Sequence, residues 1–237
     1  MRTIFLVLFY FILTLVLAVL LLLSLPFGIR EPLLGLAKWA MNCGSRVLGI
    51  RVEVSGREGV DRKAPHIYMA NHLSFLDGPL LFGLIPQRVR VILKKQVFRI
   101  PVIGLGMRYV GFVPVDRKGV RGGKKSIDIA AALMQRRGYS YLIFPEGTRS
   151  RDGRMQAFKR GGFFLALASR ASIVPISIEG TYELMPRGTL FAAKGRVKVT
   201  FHPSVPVDGY SRENIHLLIE RVRGIVEKVL TDSGEGS

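Results

Sequence analysis

The chain has 237 residues, 49% of them hydrophobic, and a formal net charge of +18 at pH 7. This length suits one folded domain with an additional segment, and a single cysteine, Cys43, excludes disulfide bonds within the chain. The strong positive charge leaves two classes of partner open: nucleic-acid phosphates, or an anionic membrane surface together with a phosphorylated substrate.

An uncharged apolar segment opens the chain, from Thr3 to Leu25. As a helix it would be roughly 34 Å long, which is enough to cross a hydrocarbon core of about 30 Å. The alternative is a cleaved signal peptide. That alternative is disfavoured because Arg2 is the only cation ahead of the segment, the apolar run is long, and no Ala-x-Ala type of cleavage site follows it. We therefore expect a retained membrane anchor.

A second apolar segment, Pro32–Ile50, contains the two cations Lys38 and Arg46. Its composition is typical of an amphipathic or interfacial helix. Residues 1–49 are therefore predicted to form an N-terminal membrane-anchoring pair of helices, joined as a hairpin by a turn at Pro26–Pro32. Sequence alone leaves open whether this element spans the bilayer or dips into one leaflet.

Lys and Arg are concentrated after these apolar segments. An adjacent anchor favours the membrane over nucleic acid as the partner of this charge. By the positive-inside tendency, the domain that follows is expected to face the cytoplasm at the inner (cytoplasmic) membrane. We expect the phospholipid bilayer as a partner and no nucleic acid, and the oligomeric state stays open.

Short β-rich runs alternate with helical patterns between residues 50 and 230. The predicted strands are Ile50–Val54, His66–Ala70, Val89–Leu93, Gly111–Val115, Tyr139–Phe144, Ile173–Ile178 and Val197–His202. The predicted helices are Pro79–Leu84, Ser126–Arg137, Arg160–Arg170 and Ser211–Leu230, the last with Ser211 as its N-cap. This alternation predicts an α/β domain with a central, mostly parallel or mixed sheet flanked by helices, and a flexible tail over residues 231–237.

A histidine and an aspartate follow the predicted strand His66–Ala70. A histidine side chain is the usual general base of enzymes, so the imidazole of His72 can take a proton from an alcohol, while a carboxylate on its other ring nitrogen would fix the tautomer. Five residues of ideal helix would leave His72 and Asp77 about 140° apart. The pair therefore requires a turn, with Asp77 near the start of the next helix and Ser74 as a possible cap. The alternative for His-x4-Asp alone is a hydrogen-bonded turn histidine and a helix-capping aspartate.

A loop rich in polar residues, Pro145–Ser150, follows the buried-strand pattern Tyr139–Phe144. Gly147 permits an unusual backbone or a close ligand, and Arg149 can hold a phosphate bidentately. Glu146 can accept hydrogen bonds from substrate hydroxyls or orient Arg149. Further cations follow, namely Arg151, Arg154, Lys159 and Arg160, ahead of a helix start that also favours anions. The alternative is a solvated, charged loop.

Two other strand ends carry cations. Lys94 ends the strand Val89–Leu93, and Arg117 comes shortly after Gly111–Val115. These two side chains could converge on a phosphate; the alternative is surface charge. The apolar Val174-Pro175-Ile176 either lines an acyl-chain or thioester site or forms a core strand, and its proline predicts a strand edge or beginning.

Other chemistries lack their sequence patterns. The four histidines and one cysteine show no metal-ligand spacing, and there is neither a G-x4-G-K-[ST] loop nor a G-x-S-x-G elbow. We therefore predict no metal site and no cofactor.

Four blocks in order resemble those of the 1-acylglycerol-3-phosphate O-acyltransferase family (lysophosphatidic acid acyltransferases, PlsC-like). Asn71–Asp77 is similar to the N-H-x4-D block, and Lys94 through Arg117 is similar to the second block with its Pro and Gly positions. Phe144–Ser150 resembles the third and most specific block, and Ile173–Ile176 resembles the fourth. The resemblance covers roughly residues 50–205, within an expected acyltransferase domain at 50–230.

The resemblance implies an enzyme that acylates the free sn-2 hydroxyl of lysophosphatidate, with acyl-CoA or acyl-carrier protein as co-substrate. It implies His72 as general base and Asp77 as its orienting partner. The implied substrate-binding residues are Asn71, Ser74, Lys94, Arg117, Glu146, Gly147, Thr148 and Arg149. Other readings stay open: glycerol 3-phosphate or another lysolipid as acceptor, or a non-catalytic membrane-bound protein that binds lipid or nucleic acid. Donor and chain-length preference are not predicted.

Overall fold

A computed structural model of the chain describes residues 2–101, 103–115, 120–189 and 191–232. Its strands are β1 Ile50–Ser55, β2 Ile67–Ala70, β3 Val89–Lys94, β4 Val113–Val115, β5 Ser140–Ile143, β6 Ile173–Glu179 and β7 Gly195–Phe201. Its α-helices are α1 Arg2–Ser24, α2 Glu31–Val47, α3 Asp77–Leu84, α4 Ile103–Tyr109, α5 Val120–Arg137, α6 Gly161–Ser169, α7 Thr181–Leu184 and α8 Ile215–Asp232. Short 3-10 helices lie at Arg57–Gly59 and Lys95–Arg99.

The strands form one seven-stranded mixed sheet in the order β1-β7-β6-β2-β5-β3-β4. Five strands, from β6 through β4, are mutually parallel, β7 runs antiparallel to β6, and β1 is parallel to β7. The expected α/β architecture with a mixed sheet flanked by helices is confirmed. Because β6, β2, β5 and β3 are parallel, their carboxyl ends lie at one edge of the sheet, where ligand sites of such folds form.

Helices cover both faces of the sheet because the central strands are apolar on both faces. In β2, Ile67 and Met69 belong to one core cluster, and Tyr68 and Ala70 belong to the other. Residues of α2 and α3 pack in the Tyr68 cluster, while α5, α6 and α8 supply the Ile67 cluster. Each fully buried large aliphatic side chain contributes roughly 1.5–3 kcal/mol. The sheet is thus a rigid, doubly covered support for the loops at its edges.

All seven predicted strands are present within a few residues of their expected bounds. The edge position predicted for Pro175 is wrong, since β6 lies between β7 and β2 and is buried almost throughout. The carbonyl of Pro175 accepts from the N–H of His202 at 3.0 Å, so this side of the proline faces β7. Pairing with β7 starts only at Ile176 opposite Phe201. The backbone N–H group that Pro175 lacks would therefore point just past the end of β7, where a proline is tolerated.

The last helix starts later than expected and ends later. Ser211 is not its N-cap: α8 begins at Ile215, and the Ser211 hydroxyl donates to Glu213 in the preceding turn at 2.5 Å. Of the predicted tail 231–237, only Thr231 and Asp232 are described, and both belong to α8.

The N-terminal part forms two helices, α1 and α2, as predicted. The Tyr109 hydroxyl donates to the carbonyl of Ser24 at 2.7 Å, and Arg90 pairs with Glu31 of α2 at 2.5 Å. These contacts attach both helices to the α/β domain. In the described part of the chain, no helix combines the length and the apolarity that crossing a membrane requires. The membrane-anchoring role of residues 1–49 stays a prediction.

Candidate active site at the carboxyl edge of the sheet

Three parallel strands bring the site together. His72 follows β2, the loop Pro145–Ser150 follows β5, and Thr181 follows β6. In the sheet β2 lies between β5 and β6. Residues from three separate parts of the sequence therefore meet around the end of β2.

His72 and Asp77 form the expected pair, with the imidazole Nδ1 2.9 Å from the carboxylate Oδ2. The backbone N–H groups of Leu73 and Ser74 donate to the same oxygen at 2.7 and 2.8 Å. Asp77 is the first residue of α3, where the helix dipole favours a negative charge. The turn required by the five-residue spacing is thus confirmed, and Asp77 itself holds that turn closed.

The second carboxylate oxygen of Asp77 accepts a hydrogen bond from the hydroxyl of Thr181 at 2.6 Å. Both residues are fully buried, and a buried carboxylate is tolerated only when hydrogen bonds replace its hydration. Thr181 lies 104 positions from Asp77 and was not among the predicted site residues. Its position just after a strand was the only available indication, and the order of strands in the sheet was unknown.

The imidazole of His72 is held flat against Phe144, with ring centroids 4.0 Å apart and planes 18° apart. Its side chain keeps 19% of its exposure. Within the described residues, Nε2 has no hydrogen-bond partner. When the Nδ1–H group donates to Asp77, Nε2 carries a lone pair. This lone pair points away from the hydrogen bonds around Asp77 and can accept a proton.

Both backbone groups of His72 are bound by the loop after β5. The N–H of His72 donates to Glu146 Oε1 at 2.7 Å, and the N–H of Ser150 donates to the carbonyl of His72 at 2.8 Å. The loop therefore sets the position of the histidine as well as contributing its own side chains to the site.

Glu146 is 1% exposed, and its Oε2 accepts from the backbone N–H of Gln156 at 3.0 Å. Burial raises the pKa of Glu146 to about 7, against the opposing effect of the N–H groups of Gln156 and His72. Both of its oxygens already have protein donors. Its predicted contact with substrate hydroxyls stays a prediction, and the geometry assigns it a positioning role.

The turn at Gly147 lies close to the amine of Lys159. Gly147 has φ +75°, and a Cβ there would lie 3.1 Å from the Nζ of Lys159, so glycine suits both the backbone and the close amine. Arg149 is partly exposed, with its guanidinium carbon 6.0 Å from the ring centroid of Phe75. Thr148 between them is also partly exposed.

The other predicted site residues lie in different situations. Asn71 is buried, and its amide both donates to and accepts from the backbone of Ile178 at 2.8 Å. The hydroxyl of Ser74 donates to the carbonyl of Met185 at 2.8 Å and accepts from the N–H of Leu76. Because these groups have protein partners, substrate binding by Asn71 and Ser74 stays a prediction.

Lys94 is exposed at the carboxyl end of β3, next to β5 in the sheet, so it lies at the edge that carries His72. Arg117 lies outside the described residues. Among the described residues, no group of three or more His, Cys, Asp or Glu side chains is arranged to hold a metal ion.

Comparisons with known proteins agree on the family and the fold. A family model described as Acyltransferase matches residues 51–179. The crystal structure of the 1-acyl-sn-glycerophosphate (LPA) acyltransferase PlsC from Thermotoga maritima superposes with a TM-score of 0.77 at 28% identity, covering 99% of this chain and 98% of that one.

Curated relatives have related names. The 1-acyl-sn-glycerol-3-phosphate acyltransferase of Borreliella burgdorferi is 32% identical over 72% of this chain and 69% of its own length. The chloroplastic 1-acyl-sn-glycerol-3-phosphate acyltransferase LPAT1 of Arabidopsis thaliana is 35% identical over 65% of this chain. The chain spans about half the length of several of these relatives, 44% in the Arabidopsis case.

The match covers β1 through β6 and the loops that carry His72 and Glu146, and it ends two residues before Thr181. The four sequence blocks all fall within it, so the family resemblance seen in the sequence is confirmed. Since the family model accounts for more than half of its residues, the chain belongs to the acyltransferase family.

Proposed function

We propose that this protein transfers a fatty acyl group from a thioester donor to the free sn-2 hydroxyl of lysophosphatidate, giving phosphatidate. The observation that carries the proposal is the imidazole of His72, with Nδ1 bound to Asp77 and Nε2 open beside the cation-bearing loop. The names of the relatives from Borreliella and Arabidopsis, and of the Thermotoga structure, support the choice of acceptor.

His72 acts as the general base. Its Nε2 takes the proton of the acceptor hydroxyl as that oxygen attacks the thioester carbonyl. The tetrahedral intermediate then expels the thiolate, which receives the proton from the imidazolium. Asp77 stabilises the imidazolium between these steps. The acceptor alcohol is itself the nucleophile, so the reaction needs neither an acyl-enzyme nor a metal or further cofactor.

The phosphate of the acceptor is bound by cations at the same edge. Arg149 is the principal group, since its guanidinium can bind a phosphate bidentately, and Lys94 and Arg117 assist it. Lys159, whose Nζ lies close to Gly147, adds a charge to this side of the loop. Holding the hydroxyl next to His72 supplies much of the rate through orientation.

Replacing the histidine tests the proposal. His72→Ala should lower the rate of acyl transfer at least ~10²-fold, followed as thiol release from acyl-CoA with lysophosphatidate. His216→Ala, a change at an exposed histidine of α8, is the matched control and should keep wild-type activity. Near wild-type turnover in folded His72→Ala would exclude His72 as the base.

Acceptor and donor are tested together. Acyl-CoA and acyl-carrier protein are each offered with lysophosphatidate, glycerol 3-phosphate and a non-phosphorylated lysolipid. Lysophosphatidate should give the highest kcat/KM, and Arg149→Ala should mainly raise the KM for it. An effect of Arg149→Ala confined to the donor would reassign that residue.

We also propose that the protein resides at the inner membrane with its domain in the cytoplasm. Membrane fractionation and protease accessibility test this proposal.

A further inference from the structure

A polar cavity lies at the amino-terminal edge of the sheet, opposite the edge that carries His72. It has a volume of about 490 Å³, and its charged lining comes from α2 and from the segments before β2, β3 and β5. An adjoining cavity of about 340 Å³ shares Glu31, Arg88 and Arg137 with it and adds Arg30 and Arg136. We call the two together the amino-edge cavity.

The lining of the larger cavity is strongly cationic. Its described lining contains one carboxylate, that of Glu31, and six cations, namely Lys38, Arg62, Lys63, Arg88, Arg90 and Arg137. Glu31 is already paired with Arg90 at 2.5 Å. In the described part of the chain, the exposed Arg62, Lys63, Arg88 and Arg137 form no ion pair. The charges of these four side chains therefore have no paired counter-charge among the described residues.

Two of the lining cations are fixed in place. Arg90 is 1% exposed, lies 3.7 Å above the Tyr139 ring centroid and donates to the backbone carbonyls of Val110 and Val89. Lys38 donates to two carbonyls before β3, at 2.8 and 3.0 Å. Burial, and then the charge of Arg90, lower the pKa of Lys38 to about 8. A bound anion would offset this mutual repulsion.

The cavity is separate from the catalytic edge. Apart from the residues of α2, its lining precedes β2, β3 and β5 or lies at the start of β3, as Arg90 does. In contrast, His72, Lys94 and Glu146 lie at or beyond the other ends of those strands. The four residues of β2 alone put roughly 13 Å of strand between the two edges. Neither the acceptor phosphate beside His72 nor the reacting thioester can occupy the amino-edge cavity.

We propose that the amino-edge cavity binds a phosphate-bearing anion, which bridges α2 to the loops before β2, β3 and β5. Several arginines around one opening match the bidentate geometry of phosphate oxygens, and the volume is within the range of small-molecule sites. A soluble phosphate compound and an anionic phospholipid headgroup share this chemistry. Either would tie the N-terminal helices more firmly to the α/β domain.

Binding is measured on the full chain, in non-ionic detergent for the soluble anions and after removal of detergent for the vesicles. One arm titrates inorganic phosphate and pyrophosphate by calorimetry. The other measures association with phosphatidylcholine vesicles containing phosphatidylglycerol, an anionic lipid that is neither substrate nor product of the proposed reaction. The test variants are Arg88→Ala/Arg137→Ala and, in a separate loop, Arg62→Ala/Lys63→Ala. The matched control is Arg51→Ala/Arg196→Ala, two exposed arginines paired in register on β1 and β7.

Both test variants should weaken binding at least ~10-fold in one of the two arms, while the control stays within about two-fold of wild type. The arm in which binding is weakened shows whether the phosphate belongs to a soluble compound or to a lipid headgroup. The bound anion should also raise the midpoint of thermal unfolding of the wild type but not of the test variants. Equal losses in test and control variants would overturn the proposal, since general charge then explains binding. A loss of binding in Arg149→Ala but in neither test variant would also overturn the proposal, because it would place the anion at the catalytic edge.

Discussion

Thr181 connects the catalytic pair to a strand that neither partner belongs to. Its hydroxyl donates to Asp77, and the loss of such a bond to a buried charged group costs roughly 1.5–3 kcal/mol. Thr181→Val keeps the side-chain shape but removes the donor. We expect kcat to fall about ten-fold with little change in KM, because Asp77 then orients His72 less firmly.

Two further variants separate this positioning role from a general loss of stability. Thr181→Ser retains a hydroxyl and should restore most of the kcat, measured by thiol release at several acceptor concentrations. Thr189→Val, a change at an exposed threonine whose hydroxyl bonds only within its own turn, should have no effect. If Thr181→Val changed KM alone, Thr181 would act on substrate binding and not on the catalytic pair.

Glu146 can likewise be tested for two roles, binding of the substrate and positioning of His72. In Glu146→Gln one side-chain oxygen becomes an amide nitrogen, which cannot accept from a backbone N–H. Either the contact to His72 or the contact to Gln156 is then lost. We expect kcat to fall about ten-fold while the KM for lysophosphatidate stays within about two-fold. A large rise in KM with unchanged kcat would instead support direct contact with the glycerol.

The loop between β5 and α6 acts as one element. It is closed on itself by the N–H of Lys159, which donates to the carbonyl of Pro145 at 2.9 Å, and it is tied to both backbone groups of His72. Its turn depends on Gly147 at φ +75°. A side chain there costs roughly 1–2 kcal/mol in the left-handed region and displaces the amine of Lys159.

Gly147→Ala is therefore expected to lower stability by roughly 1–2 kcal/mol and to raise the KM for the acceptor. Urea unfolding and steady-state kinetics measure the two effects. Gly59→Ala is the control, because its Cβ would meet nothing within 4 Å and its φ is ordinary. Unchanged stability and KM in Gly147→Ala would show that the turn relaxes without consequence for the phosphate side of the site.

The strands were easier to predict from the sequence than the contacts between residues of different strands and loops. The β-rich runs predicted every strand, and strands buried on both faces, such as β2 and β6, left a continuous apolar pattern. The partner of His72 was also found, because Asp77 is local. Thr181 was missed, and so were the hydrogen bonds of Glu146 with the backbone N–H groups of His72 and Gln156. Those contacts depend on which strands are neighbours, and the order β6-β2-β5 is set by packing across the whole sheet.

At the scale of the whole molecule, the two edges of the sheet differ in how their charges are balanced. At the carboxyl edge the buried carboxylate of Asp77 has four donors from the protein, so its charge is stabilised without a ligand. At the amino edge the cations exceed the carboxylates. The first arrangement fixes a reactive group in place, whereas the second creates a potential that attracts an anion from outside.

The buried Glu146 also links the active site to the pH dependence of global stability. Its pKa is raised from 4.5 to about 7 in the folded protein, so between these values the folded state binds more protons than the unfolded state. Stability from this group is therefore present in full below pH 4.5 and is lost as the pH rises through about 7. The loss is on the order of 3 kcal/mol, from about 1.36 kcal/mol per pKa unit.

Glu146→Gln cannot titrate, so this part of the pH dependence should be absent from it. The free energy of unfolding is measured in urea from pH 4.5 to pH 8.5 for wild type and variant. Subtracting the two curves cancels the other titrating groups, including His202, whose pKa is lowered by burial in both proteins. The stability advantage of the wild type should shrink as the pH rises. A constant difference, or one that grows with pH, would show that the Glu146 carboxyl is ionised throughout and that its two backbone donors outweigh its burial.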